Sequence, residues 1–187
     1  MGEAAPQASG DSAFSRMISG APTVKAAHEG VRRYLRGFVM LPKFRANSKQ
    51  EAVEKLVAEI AAVNPHHVTD VAEAAAAVLK REESMPTGLD HGIAVPHGRC
   101  ASVNGIAGAV AIVDNSGTAN GCIPDYETID NSPISIIVLT LSNDTQPTPY
   151  LKLMGFISRA LRADDGYARL LKCKTPEEMR KFFRKVK

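Results

Sequence analysis

His97 stands between Pro96 and Gly98, at the end of a segment from Thr87 to Arg99 that reads TGLDHGIAVPHGR. Proline fixes φ ahead of the histidine, and glycine after it frees the backbone. A ring flanked in this way is presented from a loop at a strand end rather than filed into a core. The unperturbed pKa of imidazole is about 6.5, so the ring is largely neutral at pH 7. It can then attack phosphorus without a separate base. A structural histidine that hydrogen-bonds a turn would satisfy the same local pattern. Other readings of the nearby residues are weaker. His91 and His97 as a metal pair would need further ligands, and no Cys/His cluster supplies them, so no metal or cofactor is expected. Cys100, three residues after His97, reads as a small filler side chain rather than a nucleophile. His28, His66 and His67 read as surface histidines.

The segments around this stretch supply the elements that must hold it. Phe38 to Phe44 reads as a strand, at an edge or interrupted because of Pro42. Ser48-Lys49-Gln50-Glu51 is a capping box, and Val53, Leu56, Val57 and Ile60 follow on one face, which predicts a helix over about 49–63. Thr69 or Asp70 caps a second helix through VAEAAAAVLKREE, and SMPTGLD (84–90) is turn chemistry. Residues 91–99 form a short strand ending in a loop. Ile106 to Val113 and Ile134 to Leu141 are apolar runs, the latter β-branched and nearly continuous, as in a central strand covered on both faces. The stretch from Asp114 to Ser132 is loop with room for a short edge strand. An amphipathic helix over 150–161 is expected to turn Leu151, Met154, Ile157, Ser158 and Leu161 to one side. A closing helix starts at the capping box of Thr175 and Glu178 and runs to about Val186. Helices precede, separate and follow strands, so the class is α/β, a mixed β-sheet flanked by helices.

Ahead of the compact part, residues 1–37 read as an extension. Residues 1–20 are rich in Gly, Ala, Ser and Pro and are expected to be a flexible tail. Residues 23–37 form a short basic helix interrupted by Gly30, with Val24, Ala27, Val31 and Leu35 at helical spacing. The domain proper is expected over 38–187.

Composition narrows the function classes. The chain has 187 residues, 44% apolar and 23% charged, with net charge +3. That charge is too small and too dispersed to argue for nucleic acid. No apolar run reaches the roughly 18 residues of a membrane span, and MGEAAPQASG has neither a signal peptide's regions nor the myristoylation pattern. Cys100, Cys122 and Cys173 are odd in number and form no CxxC, which fits a reducing cytoplasm.

TGLDHGIAVPHGR resembles the active-site segment of type-2 IIA domains of the phosphotransferase system, the fructose/mannitol/nitrogen type, which typically reads TGIGNGIAIPHGK. LKREES (79–84) is similar to the family's helix end before the site. VMLPKFRANSKQEAVEKLV resembles its opening strand and capped helix, IPDYETIDNSPISIIVLTLS its lead-in and central strand, and TPEEMRKFF its closing helix. The resemblance covers roughly residues 38–187 and implies the IIA type-2 fold. It also implies a phosphotransferase that takes a phosphoryl group from the phosphohistidine of an HPr-like carrier onto His97. A IIB-type partner then takes that group, or the domain acts as a regulator. By the same resemblance Arg81 is the active-site arginine, sixteen residues before His97, whose planar fork suits phosphate oxygens. A cation at a helix C-terminus is favourable in any case. Thr87 and the amides around Gly88 are further candidate donors to phosphate, and Gly98 supports the loop. Two positions depart from the family. Its second histidine, in a pattern like H-L-x-x-L, is replaced by Tyr150, which donates a hydrogen bond but does not accept a phosphoryl group. His91 stands where Asn or another small polar residue is usual, and either supplies a second imidazole or is a polar residue of the turn. The loss of the second histidine gives the alternative: a regulatory module that binds partners with slow or no phosphotransfer.

Overall fold

The computed structural model describes residues 24–118, 121–143, 147–163 and 165–186. The tail expected over 1–20 lies outside the described residues. A five-stranded mixed sheet runs β1 (Val39–Phe44), β4 (Ile106–Val113), β5 (Ile136–Ser142), then β2 (Ile93–Ala94) and β3 (His97–Arg99), the last two end to end along β5. β1 pairs parallel with β4, β4 antiparallel with β5, and β2 and β3 parallel with β5. Every residue of β4 and β5 is buried, which is why both read as continuous apolar runs rather than alternating ones. Pro42 sits in the edge strand, where the pairing register shifts between Leu41 and Phe44.

Local signals set the helices on one side of the sheet. Ser48 caps α2 (Lys49–Val63) by accepting the Glu51 amide at 3.1 Å. Asp70 caps α3 (Val71–Ser84) through the Glu73 amide at 2.9 Å. Each such cap contributes about 1 kcal/mol. Val53, Leu56, Val57, Ile60, Ala74 and Val78 pack with Ala94, Ile137, Leu139 and Leu141 in one apolar cluster. The other side carries α1 (Val24–Arg36), α4 (Pro147–Arg162), α5 (Gly166–Leu171) and α6 (Pro176–Lys185). There Val31, Leu35 and Phe38 join Val110, Ile136, Val138, Phe156, Met179 and Phe182 in a second cluster.

Several expectations are corrected. α1 runs straight through Gly30, whose missing side chain faces open space, so the cost is only the roughly 1 kcal/mol of helical glycine. The final central strand begins at Ile136, not Ile134, and no strand occurs among the described residues of 114–132. α5 was not foreseen: six residues are too short for an apolar period to show. α4 buries Leu153, Phe156, Ile157 and Ala160, whereas Leu151 and Ser158 of the expected apolar side are exposed. That stripe instead borders a cleft beside the site.

Candidate functional site

The turn-and-strand segment is drawn along β5 in one unbroken register. Ile93 pairs with Ile136 and Ala94 with Ile137; after Val95 and Pro96 the same offset resumes with His97 opposite Thr140. Pro96 has no N–H to continue the ladder, yet its carbonyl accepts the Thr140 amide at 3.0 Å. The expected loop at His97 is therefore the first residue of a second short strand. Gly98 is needed for a different reason from the one expected. A Cβ there would lie 2.8 Å from both the Val78 amide nitrogen and Cγ2, so glycine lets α3 lie directly against β3. Because side chains alternate along a strand, His97 points to the opposite side, toward α4.

His97 is half-buried and its ring lies 5.1 Å from that of Tyr150, centroid to centroid, tilted by 36°. Its Nδ1 is 3.1 Å from the Val95 carbonyl. Only a donor bonds a carbonyl, so Nδ1 carries the hydrogen and Nε2 keeps the lone pair. Burial lowers the His97 pKa, and the positive charges of Arg81 and Arg99 lower it further against the opposing pull of the Val95 bond and Glu82. Both guanidiniums act on Tyr150 as well, but burial outweighs them and raises its pKa, so the phenol stays protonated at neutral pH. Arg81 meanwhile donates to the Met85 carbonyl at 2.9 Å, closing the end of α3. Its helix-capping place and its charge on the histidine coexist.

The other candidates are placed differently. Glu82 is 1% exposed and accepts both the hydroxyl and the amide of Thr87, so the Thr87 hydroxyl is already engaged. Gly88 lets the chain at Glu127 come close: a Cβ would fall 1.9 Å from that carbonyl oxygen. His91 is exposed on the turn with φ +58°, and its amide donates to Asp130 at 2.9 Å. Its ring lies 6.2 Å from Tyr167 and its Nε2 is 3.8 Å from Asp90. A left-handed φ is the conformation that Asn, Asp and His tolerate best among side-chain-bearing residues, which explains a polar residue there. His91 and Tyr150 lie along one cleft of about 690 Å³, between the turn and α4 and α5. Two neighbours of His97 escaped the sequence reading. Arg99 is two residues on in the same strand, and that spacing was the available signal. Thr140 is 1% exposed with a hydroxyl that has no partner among the described residues, and only the strand register places it beside His97.

The sheet order and the helices on its two sides define the fold of the type-2 IIA proteins. Nitrogen regulatory protein IIA-Ntr of Neisseria meningitidis superposes with a TM-score of 0.62 at 22% identity, over 79% of this chain and 93% of that one. The IIA protein in the Escherichia coli complex of enzyme IIAMTL and phosphorylated enzyme IIBMTL superposes at 0.61 and 18% identity, over 78% and 93%. Residues 37–186 match the family model of the phosphoenolpyruvate-dependent sugar phosphotransferase system, EIIA 2, and the chain belongs to that family. Its relatives include the nitrogen regulatory protein of Bradyrhizobium diazoefficiens, 29% identical over 67% of this chain and 76% of that protein. Another is the 2-O-α-mannosyl-D-glycerate-specific EIIABC component of Escherichia coli K12, 28% identical over 72% of this chain but only 20% of that longer protein. No described helix is long and apolar enough to cross a membrane.

Proposed function

We propose that the domain is a cytoplasmic phosphohistidine carrier, taking a phosphoryl group from an HPr-like protein onto Nε2 of His97 and yielding it to a IIB-type or regulated partner. The observation that carries this reading is the bond between Nδ1 and the Val95 carbonyl, which fixes the tautomer and leaves Nε2 as the nucleophile. In the step, phosphorus bonds to Nε2 as its bond to the donor's ring nitrogen breaks, and that electron pair returns to the donor imidazole. The Nδ1 proton of His97 stays on the Val95 side, where the carbonyl offsets the charge the ring gains. Arg81 and Arg99 offset negative charge on the moving phosphoryl oxygens, the main demand of phosphoryl transfer. Tyr150 adds a neutral donor, and Thr140 and Thr87 hold the frame.

Incubation with labelled phosphoenolpyruvate, the general carrier kinase and HPr should label the protein on one site. His97→Ala should abolish that label. Arg81→Ala should slow labelling by roughly a hundredfold, the usual worth of one positioned charge donor. Uptake from no HPr-like donor, or labelling that survives His97→Ala, would sink the carrier reading. The second reading, a partner-binding regulator with slow transfer, is favoured by the phenol beside His97 where the family has a second imidazole. Tyr150→His should quicken transfer and Tyr150→Phe shorten the lifetime of the phosphorylated form. A wild-type protein that binds its partner equally well with and without His97 phosphorylation would count for neither.

A further inference from the structure

Four arginines from distant parts of the chain line one cleft of about 590 Å³. Arg32 and Arg36 come from α1, Arg180 and Arg184 from α6, and Leu35, Met40 and Phe183 supply its apolar walls. The cleft shares no residue with the one beside His97. Counter-charge is scarce: Glu177 pairs with Arg184, and no other ion pair reaches these four side chains among the described residues. Arg180 donates to the carbonyls of Arg36 and Phe38 at 3.3 and 3.2 Å, and Arg32 donates to that of Val186. The Nε of Arg32 is buried and has no hydrogen-bond partner among the described residues. A buried donor left unpaired is costly.

The sequence segregates charge in the same sense. Residues 24–36 hold four Lys/Arg against one Asp/Glu, and 147–186 hold ten against four. The helical segment 49–84 on the other side of the sheet holds four against seven. The modest net charge of the whole chain conceals this segregation.

We propose that the cleft binds an organic polyphosphate of nucleotide size, with its phosphates on the arginines and its apolar body against Leu35, Met40 and Phe183. Guanidinium groups match phosphate oxygens two at a time, and four of them against one carboxylate call for more than one phosphate. The volume falls within the roughly 300–1,000 Å³ of small-molecule sites, and its concavity sets it apart from a flat membrane-binding face. Apolar walls make a purely inorganic anion an incomplete fit.

The test is titration of the full chain with a fluorescent ATP derivative, with unlabelled ATP, pyrophosphate and inorganic phosphate as competitors. Saturable binding is expected, with ATP competing better than pyrophosphate and pyrophosphate better than phosphate. Arg36→Gln with Arg184→Gln should weaken binding by on the order of a hundredfold, since two charge-assisted contacts are lost. Neither residue is buried, so the melting temperature should hold; Arg184→Gln alone, expected at roughly tenfold, serves if the pair unfolds. Binding absent at about 1 mM nucleotide, or unchanged in these variants, would overturn the proposal. Pyrophosphate competing as well as ATP would overturn the organic part. Sedimentation with phosphatidylglycerol vesicles but no nucleotide binding would assign the basic face to a membrane instead.

Discussion

The two sides of the sheet are covered in different ways. On one, α2 and α3 bury aliphatic and small residues, with Leu56, Ile60, Ala52 and Ala74 fully buried, and Gly98 leaves no room for even a methyl group against Val78. On the other, four helices rest on large side chains, with Phe38, Phe156, Phe182 and Phe183 all buried. Clefts of about 690, 590 and 540 Å³ open between the elements of this side. His97 and Tyr150 belong to it, while the backbone that carries His97 is fixed from behind by α3. One side thus packs tightly behind the strand, and the other leaves a cleft beside the ring pair of His97 and Tyr150.

The largest effect that would break this comparison is at its centre. Phe156→Ala should cost about 3–5 kcal/mol in denaturant unfolding, because a cleft-bearing layer still needs a filled core. A loss below about 1 kcal/mol would mean that this layer contributes little to folding. Next is Gly98→Ala, expected to cost about 1–3 kcal/mol by overpacking against Val78 and to slow phosphoryl uptake by shifting the adjacent His97. Unchanged stability and rate would show that α3 yields easily, and that the closed side is not rigid. The smallest effect is in acid. His97 has a pKa below its unfolded value of about 6.5, chiefly through burial. As pH falls below that value, the unfolded chain takes up a proton that the folded chain refuses, so stability drops until pH passes the lowered folded pKa. His97→Gln should remove that part of the slope between pH 7 and 5, as read from melting curves. An identical slope in the variant would place the titrating group elsewhere.

Much of this could be read before any fold was known, because it is local. Ser48, Asp70 and the Thr175–Glu178 box satisfy helix N–H groups within three residues, so the starts of α2, α3 and α6 are written in adjacent letters. The all-buried strands β4 and β5 announce themselves as apolar runs, and Pro96-His97-Gly98 singles out a candidate ring whose local letters also suit a histidine that hydrogen-bonds a turn. What stayed hidden depends on elements meeting from afar. The role of Gly98 is set by the backbone of Val78, twenty residues away. Thr140 becomes a neighbour of His97 only through parallel pairing, and Thr87 turns inward because Glu82 is buried beside it. Residue types and short spacings determined which groups can do chemistry and which segments are helix or strand, since those follow from hydrogen bonds and periodicity within a few residues. Only the tertiary structure decided that Arg32 and Arg36 would face Arg180 and Arg184 across a cleft. Side chains about 150 residues apart are brought together by burying the apolar faces of two helices on one sheet, and no local rule encodes that meeting.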